Sequence, residues 1–153
     1  MLEVRRIKRH HLNVLQQIYT EAYAGMREYA YTGRRRVISY LRWLFRRDPE
    51  GGYLALRDAE PAGFIFCDAM WVSGWSGEHA GAIHELAVLP EHRRRGIGRK
   101  LVLTGISYLR SRGCRLAELW VGEKNHPAIN LYRTLGFTEA GRADRWIRMV
   151  MKL

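Results

Sequence analysis

The sequence predicts a single α/β (α+β) domain on a mixed central sheet, with elements in the order β-α-α-β-β-β-α-β-α-β-β. Three observations support this. The length of 153 residues suits one domain, and because no repeat or Pro/Ser linker interrupts it, we treat residues 1–153 as one unit. Helical and strand periodicities alternate along the chain. One strand–helix–strand segment predicts a right-handed parallel crossover, whereas the other strands connect as hairpins.

The N-terminal third predicts one strand and two amphipathic helices. The strand is expected over Leu2 to Ile7. The apolar face of the first helix comprises Leu12, Leu15, Ile18, Tyr19, Ala22 and Tyr23. That of the second comprises Val37, Tyr40, Leu41, Leu44 and Phe45. Gly25 is expected to end the first helix, and the run 48–52 the second.

The middle of the chain predicts three strands, at Tyr53–Arg57, Gly63–Cys67 and Ile83–Leu89. The first two are joined by residues 58–61, which favour a hairpin turn. A polar loop from Ser73 to Gly81 precedes the third strand, and Pro90 closes it.

The C-terminal part predicts two helices and three strands. A helix over Arg94 to Arg112 is expected, with Gly113 at its C-cap position. A second helix has Pro127 in its first turn and is ended by Gly136. The strands are expected at Leu116–Val121, Phe137–Gly141 and Trp146–Met151.

Composition indicates a globular protein with a polyanionic partner. Hydrophobic residues make up 47% of the chain, which favours a folded core. The formal charge of +11 points to nucleic acid, an anionic membrane or a phosphorylated small molecule. The charge is uneven: residues 1–47 carry +8, residues 48–91 carry −7 and residues 92–115 carry +8.

Cysteine usage and hydropathy indicate the compartment of the protein and exclude some kinds of partner. Cys67 and Cys114 form no CxxC pair and lie near no histidine pair at zinc spacing, so we expect no metal and a reducing compartment. The N-terminus has no apolar signal region, and the longest apolar stretch, Ala62 to Trp75, is broken by Asp68. We therefore expect a cytoplasmic protein with no membrane partner.

The most informative stretch is Glu85 to Arg99, where a strand leads through three arginines into a G-x-G turn and a helix. Unpaired N–H groups and the dipole at a helix N-terminus bind anions. Gly96 and Gly98 allow a phosphate to approach the backbone. The stretch lacks the third glycine of a dinucleotide fingerprint and the G-K-[ST] of a P-loop. The alternative is a surface helix start with solvated arginines.

A second block makes the pattern more specific. Residues 93–98 match R-x-x-G-x-G, and residues 125–137 match N-x-x-A-x-x-L-Y-x-x-x-G-F. Together these blocks resemble the GNAT superfamily of acyl-CoA-dependent N-acetyltransferases. The resemblance is strong over residues 83–137 and extends to the N-terminal third only in the layout of elements.

The resemblance implies how acetyl-CoA is held. The backbone of the strand residues Leu86, Ala87 and Val88 would bind the pantetheine arm like an added strand. Main-chain N–H groups would bind the pyrophosphate, at Arg94, Arg95, Gly96, Ile97, Gly98 and Arg99. Arg93 fills the first position of the motif. Asn125 matches an asparagine whose side chain meets the cofactor, although a helix cap is the alternative.

The resemblance also implies the chemistry, which is direct attack of a primary amine of a protein, peptide or small molecule on acetyl-CoA, through a tetrahedral intermediate. Glu85 would be the base, and its alternative is a strand carboxylate paired with an arginine. His84 is the backup base; the two residues face opposite sides of a regular strand unless a bulge intervenes. A main-chain N–H near Ala87 or Val88 would stabilise the oxyanion. Tyr132 would be the general acid, and its alternative is a core aromatic.

The acceptor is expected between the first two helices and the final hairpin. Candidate contacts there are Tyr29, Tyr31, Arg34, Arg35, Arg36, Trp71, Trp75, Glu78 and His79. The acidic segment 48–91 would attract a cationic amine. If the three arginines line the entrance, the acceptor carries an acidic group beside its amine.

Two other classes remain open at this stage. One is a non-catalytic acyl-CoA-binding sensor domain, because function resides in the site and not in the fold. The other is a basic nucleic-acid-binding protein, which only the charge suggests, since no helix-turn-helix, zinc knuckle or RNA-recognition pattern is present. The sequence leaves open a homodimer.

Overall fold

A seven-stranded mixed sheet forms the centre of the computed structural model, which describes residues 1–153. In chain order the strands are β1 (Leu2–Arg6), β2 (Gly52–Arg57), β3 (Glu60–Asp68), β4 (Gly81–Val88), β5 (Leu116–Gly122), β6 (Thr138–Ala143) and β7 (Trp146–Lys152). They lie in the order β1-β2-β3-β4-β5-β7-β6. Only β4 and β5 pair in parallel. The predicted element order and mixed sheet are confirmed.

Four helices cover the sheet: α1 (Leu12–Ala22), α2 (Arg34–Arg47), α3 (Ile97–Ser111) and α4 (His126–Thr134). The central strand β3 is buried on both faces and sorts its side chains with a period of two. Phe64 and Phe66 pack with the apolar stripes of α1 and α2. Ile65 and Cys67 pack with α3 on the other face. None of the four helices has the length and the apolar character that crossing a bilayer requires.

Several predicted boundaries differ from the structure by one to three residues, and three of the differences concern helix ends and the turn between β2 and β3. The helix expected from Arg94 begins at Ile97, because Arg94 (φ +62°) and Gly96 (φ +78°) adopt left-handed backbone that no α-helix accommodates. α1 ends at Ala22, before Gly25. The hairpin between β2 and β3 turns on two residues and not four, because residues 58–59 both have positive φ, as a tight hairpin turn requires. The left-handed Gly113 after α3 is confirmed.

The parallel pair β4–β5 is short, and this opens the sheet. Its register runs only from Gly81 opposite Ala117 to Ile83 opposite Leu119. Beyond Ile83 the two strands separate, and we call this point the fork. β4 also carries a bulge there: Phe66 pairs with Glu85 and Cys67 with Ile83, so His84 is the extra residue.

Candidate active site

A cavity of about 670 Å³ opens at the fork. Consecutive residues of both separating strands line it, Ala82–Leu86 from β4 and Glu118–Gly122 from β5. Helix α4 contributes Ala128 and Tyr132, and the remaining wall comes from α1, α2, the loop between them, β7 and the residues Trp71, Asn125 and Ala143. The failure of β4 and β5 to pair along their full length thus produces the space.

Glu85 lies at the fork, 8% exposed, with each carboxylate oxygen bonded to a tyrosine. The Tyr40 hydroxyl donates to Oε1 at 2.8 Å, and the Tyr23 hydroxyl donates to Oε2. Burial raises the pKa of Glu85 to about 7, although the two tyrosine hydrogen bonds oppose the shift. No arginine pairs with it, so that alternative from the sequence is wrong. A carboxyl with this pKa can accept a proton near neutral pH.

The bulge brings His84 into the same cavity as Glu85. Its Nε2 lies 2.9 Å from Oδ2 of Asp68, which also accepts a hydrogen bond from Arg47 Nε at 2.8 Å. The ring of Trp71 meets the imidazole edge-on, with centroids 4.7 Å apart. Burial of Asp68 would raise its pKa, but hydrogen bonds from His84 and Arg47 outweigh burial and lower it. This anionic carboxylate fixes the orientation of His84.

Tyr132 lines the cavity from α4, 6% exposed, with its ring against Phe137 at a centroid distance of 5.8 Å. Its hydroxyl makes no hydrogen bond within the protein. Burial raises the pKa of Tyr132, and the negative charge of Glu85 adds to the shift. The phenol therefore keeps its proton at neutral pH and can donate it.

The loop into α3 presents a run of free main-chain donors. From Arg94 to Arg99, six consecutive N–H groups have no acceptor within the protein. The bonds on either side are Arg93 N to Pro90 O and Lys100 N to Gly96 O. Left-handed residues alternating with ordinary ones, as at Arg94 and Gly96, turn successive N–H groups toward one side and form an anion-binding concavity. These residues fit a pyrophosphate.

Two of the residues assigned to the cofactor also have contacts within the protein. The Nη2 of Arg93 donates to the carbonyl of Ala22 at 2.8 Å, so this side chain ties the loop to the end of α1. Oδ1 of Asn125 accepts from the N–H of Ala128 at 3.4 Å as the N-cap of α4, and Asn125 also lines the cavity. The cap proposed from the sequence is therefore present alongside access to the cavity.

Leu86, Ala87 and Val88 occupy the second half of β4. One edge of this segment pairs with β3, whereas the edge toward β5 has no strand partner beyond Ile83. Leu86 lines the cavity, and Ala87 packs in the core under α1 and α2. The unpaired edge fits an extended ligand that adds as a strand.

Much of the cavity wall is aromatic. Its aromatic residues besides Tyr132 are Tyr19, Tyr23, Tyr29, Tyr31, Tyr40, Trp71, Trp120 and Trp146. Three residues expected from the sequence at the acceptor, Tyr29, Tyr31 and Trp71, lie in this wall. Tyr19, Tyr23 and Tyr40 were not expected there, because their spacing along the first two helical segments is the same as that of ordinary core residues.

The other predicted acceptor residues lie elsewhere. Trp75, Glu78 and His79 do not line the cavity. Neither do Arg34–Arg36, which stand exposed on α2 beside its buried aliphatic residues, although Arg36 lines a depression that adjoins the cavity at Tyr31 and Tyr40. Arg34, for example, donates to Gln16 Oε1 at 3.0 Å and to Asn13 Oδ1 at 3.1 Å.

Comparison with known proteins agrees with this geometry. The acetyltransferase (GNAT) family model matches residues 12–137, which is most of the chain. The chain belongs to the acetyltransferase (GNAT) family. The two motif blocks that suggested this assignment fall within the matched range.

Two relatives are named as uncharacterised N-acetyltransferases. An uncharacterised N-acetyltransferase of Methanocaldococcus jannaschii is 36% identical over 98% of this chain and 66% of its own length. One from Archaeoglobus fulgidus is 42% identical over 86% of this chain and 89% of its own length. The chain thus spans slightly under two thirds of the first relative and most of the second.

Two solved structures share the fold. The structure of PH1933 from Pyrococcus horikoshii superposes with a TM-score of 0.90, at 35% identity, over 100% of this chain and 99% of that one. The PaiA N-acetyltransferase of Thermoplasma acidophilum, solved in complex with coenzyme A, gives a TM-score of 0.80 at 18% identity, over 100% and 99% of the two chains. The second match supports the fold alone.

Proposed function

We propose that residues 1–153 form one catalytic domain, which transfers an acetyl group from acetyl-CoA to a primary amine of a protein, peptide or small molecule. One observation carries the proposal: Glu85 and Tyr132, a proton acceptor and a proton donor, line one cavity at the fork. Membership of the GNAT family and the coenzyme A complex of a structural neighbour support the choice of acyl donor.

The chain offers two surfaces for acetyl-CoA. The free N–H groups of Arg94–Arg99 would bind its pyrophosphate, and the unpaired edge of β4 at Leu86–Val88 would bind its pantetheine arm. Asn125 borders the same cavity and would meet the arm from the side of α4. When bound, acetyl-CoA supplies the activated thioester.

Glu85 and Tyr132 would move the two protons that the reaction requires. An amine attacks only when neutral, yet a free alkylamine has a pKa of about 10. A Glu85 carboxylate, with a pKa of about 7, takes that proton from the amine directly or through water. The Tyr132 hydroxyl, which has no partner within the protein, gives its proton to the departing sulfur. His84, held by Asp68, is the second candidate for the base.

The test combines binding with turnover. Isothermal titration with acetyl-CoA should show one saturable site, and a panel of amines should release free thiol in an enzyme-dependent reaction. The same panel with Glu85→Gln should show unchanged acetyl-CoA affinity and greatly reduced thiol release. Binding without turnover on any peptide, polyamine, amino acid or aminoglycoside would instead favour the sensor domain.

A further inference from the structure

We propose that the acceptor is a primary amine borne on an apolar or aromatic group, with no carboxylate or phosphate beside the amine. This inference rests on the proposed function and specifies its substrate class. It is the reverse of the acidic acceptor that an arginine-lined entrance would have implied. Two observations support it independently, namely the charge of the cavity lining and the aromatic surface of the cavity.

The charge of the cavity differs from that of the whole chain. The protein has 26 Lys and Arg residues, yet none of them lines the cavity. Three glutamates do, namely Glu28, Glu85 and Glu118. An anionic group held close to the reacting amine would be taken out of water with no Lys or Arg in the lining to pair with it, and close to the carboxyl group of Glu85. Such burial is strongly unfavourable.

The cations near the cavity are already engaged or lie outside it. Arg148 lies below it and donates to Glu118 Oε2 at 2.5 Å, where Ser73 also donates, so this pair is internally neutral. Arg145, at the rim, donates to the main-chain carbonyl of Glu28 at 3.1 Å and to the carboxylate of Asp144. Arg36 lines a surface depression that adjoins the cavity and shares Tyr31 and Tyr40 with it, but Arg36 itself does not line the cavity. None of them is placed to neutralise a group next to the amine.

The aromatic rings on the acceptor side contact one another in two groups. Tyr31 contacts Tyr40 at a centroid distance of 4.8 Å, and Tyr40 contacts Tyr19 at 5.7 Å. Tyr29 faces Trp146 at 5.2 Å. Such a wall attracts an apolar substituent and, through ring faces, the positive charge of an amine before it loses its proton.

Hydrogen bonds fix the rings of this wall. The hydroxyl of Tyr19 accepts the main-chain N–H of Tyr31 at 3.0 Å, and that of Tyr29 accepts the N–H of Lys124 at 2.9 Å. Tyr23 and Tyr40 donate to Glu85. With their polar tips held by the protein, these four tyrosines present mainly ring surface.

Three matched amines test the substrate class. 2-Phenylethylamine, L-phenylalanine and L-phenylalaninamide share a ring and a primary amine, but only the second has a carboxylate beside the amine. Thiol release from acetyl-CoA should give kcat/KM values for the amine and the amide at least about a hundredfold above that for the amino acid. Equal or faster turnover of L-phenylalanine would overturn the inference and leave the proposed function standing. No turnover of any amine, despite acetyl-CoA binding, would overturn both.

Variants of Tyr31 test the wall itself. Tyr31 is 54% exposed, so its replacement does not open the core. Tyr31→Ala should raise KM for 2-phenylethylamine about tenfold at unchanged acetyl-CoA affinity, because it removes a ring face. Tyr31→Phe should restore the original KM. Met70→Ala, at a residue that is 73% exposed and outside the cavity, is the control. A Tyr31→Ala enzyme with the original KM would contradict an aromatic acceptor site.

Discussion

The two proposed binding surfaces are built by different means. The cofactor surface uses main-chain groups from two short stretches, the end of β4 and the loop 94–99, and of these residues only Leu86 lines the cavity. The acceptor surface lies in the cavity and uses side chains that arrive from α1, α2, the loop between them, Trp71, β5 and β7. The first side has an excess of positive charge around it, whereas no Lys or Arg lines the second.

This difference teaches which part of the site can vary. A main-chain binding loop depends on backbone conformation, so it constrains only glycines and leaves a short, readable motif. A side-chain wall depends on which residues the fold brings together, and its exposed members, such as Tyr31, can change without opening the core. Under the proposed function, the same domain could therefore retain one acyl donor and accept different amines.

The largest expected effect is at the junction of the two sides. Glu85→Gln should lower kcat by about a hundredfold or more, because it removes the proton acceptor. In the original enzyme, kcat should rise with pH through about 7 as Glu85 loses its proton, and this limb should be missing from the variant. Steady-state rates from pH 5.5 to 9 measure both. Glu78→Gln, an exposed carboxylate outside the cavity, is the control.

An identical pH profile in the Glu85→Gln variant would transfer the role of base to another group. His84→Gln would then be the next variant, because His84 lines the same cavity. Its control is His79→Gln, since His79 also has a hydrogen bond through Nε2, to the carbonyl of Ala69 at 2.8 Å, but lies outside the cavity.

A somewhat smaller effect is expected at Tyr132. Tyr132→Phe keeps the ring against Phe137 and removes only the hydroxyl, so the fold should be unaffected. We expect kcat to fall at least about tenfold through loss of the proton donor, with little change in the Kd of acetyl-CoA. Single-turnover rates and titration calorimetry separate the two quantities. Unchanged turnover would leave Tyr132 as a core aromatic.

A moderate effect confined to binding is expected at Gly96. Gly96→Ala imposes a cost of about 1 kcal/mol on the left-handed backbone (φ +78°), which favours a loop with its N–H groups turned elsewhere. The Kd of acetyl-CoA should rise about fivefold. Gly113→Ala is a matched control, because Gly113 has φ +83°, lies at the other end of α3 and also has nothing within 4 Å of an added Cβ. Equal changes of Kd in both variants would contradict a main-chain binding loop.

No effect is expected from the arginines of α2. Replacing Arg34, Arg35 and Arg36 together by Ala should leave the KM of the acceptor unchanged, because none of the three lines the cavity. Steady-state kinetics with 2-phenylethylamine measure this. A severalfold rise in KM would mean that the acceptor extends across α2. The acceptor side would then include arginines, and the difference in charge between the two sides would be smaller.

Much of the fold followed from local pattern. Apolar stripes such as Leu15, Ile18 and Leu41, Leu44 placed α1 and α2, and Pro127 and Gly113 marked helix ends. These features depend on residues a few positions apart, so the sequence contains them directly. The start of α3 was misplaced because a positive φ at an arginine has no residue-type signature.

The amino-acid sequence by itself determined the element order and the backbone motif at residues 93–98, because both arise from neighbours along the chain. Tertiary structure alone decided three things: the fork beyond Ile83, the bulge that brings His84 beside Glu85, and the aromatic wall without arginine. Each depends on contacts between residues far apart in the chain. A one-residue change in strand register reverses which side chains face the cavity, and no local pattern records that register.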